Sequence, residues 1–227
     1  MTQRREFLRQ ASLIAAGSVA AGAVAAEVLD AQSAPQAAPP AQNNYDMTWA
    51  SKVTGKYRMA FDAPAVKDGV ALHQVRSFLA GYAQVHGMKD SDLSAVLIIR
   101  HAAVPMVLGD ALWADGVFGE RESLKDPVTG EPTKRNPFVN IPAGAPHALS
   151  WPDGALDNLM ERGVIVLACD LALANTAGQI SARKNIPRSD ASQLINDHIL
   201  PGVVRMPSGI FATCHAQGVG CGLMYAG

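Results

Sequence analysis

Two hydrophobic runs in this sequence end in side chains that can do chemistry. Ala95-Val96-Leu97-Ile98-Ile99 is followed by Arg100 and His101, and Val164-Ile165-Val166-Leu167-Ala168 by Cys169 and Asp170. If both runs are central strands of one sheet, His101 and Cys169 meet near one crevice. The Cys169 thiol then stands just ahead of a helix that starts near Leu171. A helix N-terminus and a nearby cation both favour a thiolate. Arg100 or a protonated His101 is the expected cation. Asp170 works against it, although it can simply cap the helix. A thiolate so placed attacks a sulfane sulfur and holds it as a persulfide. The plainer readings are a buried cysteine packed as a small hydrophobe and a histidine that only bonds a neighbouring backbone group.

The other cysteines give weaker signals. Cys214 and Cys221 are separated by a helix end and a turn, without Cys-x-x-Cys or Cys-x-x-Cys-His spacing. An oxidising compartment would allow a disulfide between them; two packed thiols are the simpler reading. Cys214 and His215 are adjacent on a helix and point in different directions. Cys169 is therefore expected to be the most reactive thiol. The sequence has no Gly-x-x-x-x-Gly-Lys phosphate loop, no Gly-x-Gly-x-x-Gly after the first strand and no Gly-x-Ser-x-Gly elbow. Its acidic residues form no metal-like cluster, so no cofactor is expected beyond a covalent persulfide on Cys169. A net charge of -1 makes nucleic acid a poor partner.

These residues need a scaffold, and the chain alternates strand and helix. Strands are expected at Tyr57 to Asp62, Ala95 to Ile99, Val164 to Cys169, Val203 to Met206 and Cys221 to Tyr225. Uninterrupted apolar runs suit strands covered on both faces, as in a parallel sheet. Asp68 is placed to cap a helix to His86, which Gly87 stops. Pro105 fits the first turn of a helix reaching Phe118. Further helices are expected at about 153–162, 171–182 and 191–199, and Ser208 caps a last one to about Gln217. Residues 119–150 form a long turn-rich stretch, of the kind that is usually functional or interfacial. Its Phe138 and Ile141 offer apolar area to a neighbour. Trp113 reads as core, and Trp113 with Trp151 could wall a pocket. The predicted fold is a single open, mostly parallel five-stranded α/β sheet with helices on both faces, of flavodoxin-like size. The strand C-terminal ends would share the ligand-binding edge.

The N-terminus reads as an address. Arg4-Arg5-Glu6-Phe7-Leu8-Arg9 precedes an Ala- and Gly-rich uncharged run, Ala11 to Ala26, too short for a bilayer span of about 20 residues. Arg4, Arg5, Phe7 and Leu8 resemble the twin-arginine export motif. This assigns 1–34 to a signal peptide and the start of a linker, 35–56 to the linker and 57–227 to the folded domain. It implies recognition by the Tat translocase, a periplasmic location and no transmembrane span in the mature chain.

From about residue 57 onward the chain resembles the DsrE/DsrF-like family of sulfur-relay proteins. The stretches that carry the resemblance are Val96 to His101 with Val104-Pro105, Gly163 to Cys169, and Leu200-Pro201-Gly202-Val203-Val204-Arg205-Met206-Pro207-Ser208-Gly209 with Ala216-Gln217 and Gly220. The loop Asp126-Pro127 to Phe138 looks like an exported subgroup. The resemblance implies a homotrimer or homohexamer and a sulfurtransferase-like persulfide carrier on Cys169, tuned by His101 and Arg100, with a sulfur donor and acceptor as partners. Export departs from the cytoplasmic setting of the well-understood members. The alternative is a non-catalytic periplasmic oligomer that binds a small ligand or partner at the same crevice.

Overall fold

The run that reads as a buried strand is buried along its whole length. All seven residues of Leu93–Ile99 are buried, because neighbours cover both faces and both edges. A computed structural model of the chain describes residues 45–142, 144, 146–147, 149 and 151–227. The export motif of Arg4, Arg5, Phe7 and Leu8 lies outside the described residues. In chain order the elements are β1 (Tyr57–Ala63), α1 (Val70–His86), β2 (Leu93–Ile99), α2 (Asp110–Trp113), α3 (Val117–Arg121), α4 (Leu156–Glu161), β3 (Ile165–Cys169), α5 (Asp170–Lys184), α6 (Arg188–His198), β4 (Val204–Met206), α7 (Gly209–Gly218) and β5 (Gly222–Tyr225).

The sheet is five-stranded and all parallel, in the order β4-β3-β2-β1-β5. From β1 the chain steps outward to β4, then returns to the far side of β1 for β5. Strand alternation sorts the core into two layers. Phe61, Leu97, Ile99, Val166 and Ala168 pack with Leu72 and Val75 of α1, Leu156 and Leu159 of α4, and Leu173 and Ala177 of α5. Ala60, Val96, Ile98 and Leu167 pack on the opposite face with Ala212 and Ala216 of α7 and with Trp49 and Val53. Helices thus cover both faces, as the strand–helix alternation predicts. Among the described residues no helix is long and apolar enough to cross a membrane.

Local chemistry moved several boundaries. Asp68 does not cap α1. It lies in the left-handed region at φ 52° between Lys67 (φ 36°) and Gly69 (φ 79°), and Gly69 takes the cap position without a side-chain bond. Gly87 ends α1 as expected, left-handed, with its N–H on the Ala83 carbonyl and the Met88 N–H on that of Tyr82. Pro105 sits inside a 3-10 helix, His101–Val107, rather than in an α-helix running to Phe118. Two short helices, α2 and α3, follow it.

The 119–150 stretch is anchored inward. The Asn136 side-chain amide donates to the Met106 and Leu108 carbonyls (2.8 and 2.9 Å), and its backbone N–H to Asp110 (2.8 Å). Phe138 is 0% exposed in the protein's own core, so it does not offer the expected surface to a neighbour; Ile141 packs against that core and is half-buried. Asp126 closes its turn by accepting the N–H groups of Thr129 and Val128, which hold its carboxyl below the ordinary value. Trp113 is core, with its indole N–H on the Pro105 carbonyl. Trp151 lies apart from it, stacked on His73 with Arg76 over its ring, beside a separate cavity of about 210 Å³.

Candidate functional site

Three parallel strands deliver side chains to one edge. Interior strand β2 ends at Arg100 and His101, interior strand β3 at Cys169, and edge strand β4 leads to Ser208 and Gly209. The chain leaves β3 into α5 on one face of the sheet and leaves β4 into α7 on the other. Such a divergence opens a crevice at the strand C-terminal ends. A cavity of about 330 Å³ lies there, with Arg100, His101, Cys169, Asn175, Ser208 and Ile210 in its lining. The sequence-predicted residues Arg100, His101 and Cys169 are therefore brought together.

Cys169 is the last residue of β3 and the N-cap of the fifteen-residue helix α5. A strand that turns straight into a helix leaves the first-turn N–H groups without intrahelical partners, and here the cap position holds a sulfur. That end of the helix carries its positive partial charge. The thiol is 6% exposed and unbridged. Asp170 does not oppose it as a free charge. Its carboxylate accepts from Arg205 Nε at 2.6 Å and from the Tyr45 hydroxyl at 3.0 Å.

Arg100 continues β2 in extended geometry, and its backbone N–H donates to the Ala63 carbonyl at 3.0 Å. Its Nε and one Nη donate to the two Asp62 carboxylate oxygens at 2.6 and 2.8 Å. The hydrogen bond to Asp62 is the main cause that raises the guanidinium pKa above its ordinary value; the charges of Asp62, Tyr225 and Cys169 add to it. The cation expected beside Cys169 is present, but it is answered by a buried carboxylate. Gly209 makes this packing possible: a Cβ there would lie 2.4 Å from Arg100 Cδ and 2.6 Å from its Cβ.

His101 turns the chain at the end of β2 with φ 52°. A left-handed non-glycine residue at a strand end costs about 1 kcal/mol, and such outliers cluster at functional sites. Its side chain is exposed and has no hydrogen-bond partner among the described residues.

The wall from β4 and α7 is the part that the two-run reading missed. Ser208 Oγ accepts the Phe211 N–H at 3.0 Å and fixes the start of α7, as the cap prediction required. Met206-Pro207-Ser208-Gly209 is a third strand-to-helix junction, and its likeness to Ala168-Cys169-Asp170 was the available signal. Asp62 gave no signal, because its partner is 38 residues away.

Among the remaining cysteines, Cys214 is exposed and Cys221 is buried. Burial pushes the Cys221 thiol pKa up. Among the described residues no group of three His, Cys, Asp or Glu side chains is arranged to hold a metal ion.

No family model, curated protein or solved structure matches the chain.

Proposed function

We propose that this protein is an exported, DsrE/DsrF-like sulfur carrier in which Cys169 holds a persulfide. One observation carries the reading: a cysteine at the end of an interior parallel strand occupies the N-cap position of a long helix and lines a cavity with Arg100 and His101. In the reaction, the Cys169 thiolate attacks the outer sulfur of a donor R–S–SH. The new bond joins Cys169 Sγ to that sulfur, the donor S–S bond breaks, and R–S⁻ leaves with the electron pair. An acceptor thiolate reverses the step. No net oxidation occurs, and the thiolate form sets the rate. In this reading Arg100 and the α5 N-terminus support the anionic sulfur, and His101, in the same cavity lining, moves the proton.

The test is a mass spectrum after incubation with a hydropersulfide donor. One added sulfur atom is expected, and peptide mapping should place it on Cys169. An unmodified Cys169 would favour a non-catalytic ligand-binding protein.

Export and assembly belong to the same reading. Replacing Arg4 and Arg5 with Lys should leave precursor in the cytoplasm on fractionation; normal periplasmic accumulation would reject export by this motif. The mature chain is proposed to form a homotrimer or homohexamer. Support comes from β5, which among the described residues pairs with β1 alone and exposes Leu223, Met224 and Tyr225, with no charged residue of its own. Light scattering that finds a monomer at micromolar concentration would reject assembly.

A further inference from the structure

The cavity beside Cys169 has one permanently charged side chain in its lining, Arg100, and Asp62 already answers that charge with two hydrogen bonds. Asp170, next to Cys169, is likewise matched by Arg205. The rest of the lining is mixed: His101, Asn175 and Ser208 are polar, and Leu171, Ala172 and Ile210 are aliphatic. Leu171 is 68% exposed and Ile210 is 72% exposed, and both line this cavity. They occupy the same position on their helices, two residues after the caps Cys169 and Ser208. Since α5 and α7 lie on opposite faces of the sheet, the two side chains reach the cavity from opposite sides. Single exposed aliphatics are ordinary on a protein surface. Two that converge on one concave site beside a nucleophile mark a place where apolar matter is bound.

An inorganic anion such as thiosulfate could use His101 and the two helix N-termini here, but it would leave the apolar part of the lining unused. It would bring two negative charges to a cavity with no unanswered lysine or arginine, and would leave Leu171 and Ile210 in water. A neutral donor with an apolar body meets both conditions.

We propose that the Cys169 cavity selects a small, uncharged organic hydropersulfide, R–S–SH with an aliphatic or aromatic R, and that R lies against Leu171 and Ile210. This rests on the carrier reading. The transfer is the one written above: the S–S bond of the donor breaks, the new S–S bond forms on Cys169, and RS⁻ departs.

Alkyl methanethiosulfonates test the selection on stable reagents. Each transfers R–S to a thiolate and releases methanesulfinate. Rates at Cys169 are read by peptide mapping in Cys214→Ser protein, with methyl, butyl and anionic 2-sulfonatoethyl reagents, each divided by its rate on N-acetylcysteine. Burying one methylene is worth about fourfold. With the butyl chain partly covered, a butyl-to-methyl ratio about tenfold above that of N-acetylcysteine is expected, with the sulfonatoethyl reagent slowest. Leu171→Ser with Ile210→Ser should return the ratio to that of N-acetylcysteine. Both side chains are exposed, so the double variant should fold. A ratio near that of N-acetylcysteine in the parent, or the anionic reagent as the fastest, overturns the selection and leaves the carrier reading standing. Failure of Cys169 to react with any reagent overturns both.

Discussion

Cys169→Ser should abolish sulfur loading, and Cys214→Ser should leave it intact, although Cys214 is the thiol most open to water. The expectation sets accessibility against electrostatic setting. Cys214 sits mid-helix on α7, away from the cavity lining. Cys221 is buried, and its raised pKa keeps it protonated near neutral pH. Cys169 stands at the positive end of α5, beside a guanidinium and in a cavity that admits a donor. Serine at this position also separates chemistry from stability. It is among the preferred N-cap residues, because its oxygen accepts a first-turn N–H. The variant should therefore match the parent in unfolding free energy from urea denaturation to within about 1 kcal/mol. Loading is measured by intact mass after exposure to a hydropersulfide, with excess donor removed. Retained loading in Cys169→Ser, with the sulfur on Cys214, would show that exposure governs the reaction and that the cavity has another use.

The scaffold of this site was legible because it rests on patterns that the chain displays locally. Val96 to Ile99 and Ile165 to Ala168 are apolar runs, and such runs become interior strands when both faces are covered. Their last residues then had to share an edge. What stayed hidden depended on contacts distant in sequence. Phe138 reads as a surface offer from a long loop, and only the grip of Asn136 on two carbonyls near Pro105 turns it inward. Asp68 is a preferred cap residue, but the left-handed run from Lys67 to Gly69 displaces the helix start. Cys221 is buried as expected, whereas the strand after it is an exposed edge, because the chain returns past β1 and no sixth strand among the described residues covers it. The Arg100–Asp62 pair is the clearest case. Arg100 alone reads as a free cation for Cys169, and its partner changes the cavity from a cationic site into a balanced one.

That pair depends on a missing side chain, which gives the largest stability effect expected near the site. Gly209→Ala should cost about 3 kcal/mol, the upper end for overpacking a filled core. The new Cβ would fall 2.4, 2.6 and 3.0 Å from Arg100 Cδ, Cβ and Cγ. A flexible side-chain tip could swing away, but the Arg100 Cβ moves only with its backbone, which the bond to the Ala63 carbonyl holds. The helix cannot retreat freely either, because Ser208 Oγ holds the Phe211 N–H. The guanidinium must then leave Asp62, stranding a carboxylate in a half-closed site, and breaking such pairs is destabilising. Alanine's better helix propensity recovers at most about 1 kcal/mol. Sulfur loading should slow as well, since the guanidinium in the cavity lining would be displaced. A double-mutant cycle isolates the cause. Arg100→Gly removes all three clashing atoms, whereas Arg100→Ala would retain the Cβ. In the Arg100→Gly background, Gly209→Ala should cost less than about 1 kcal/mol by urea denaturation, provided the slope is unchanged. An undiminished cost of about 3 kcal/mol in that background would mean that the damage lies in the start of α7 itself, and that Gly209 does not hold the place for Arg100.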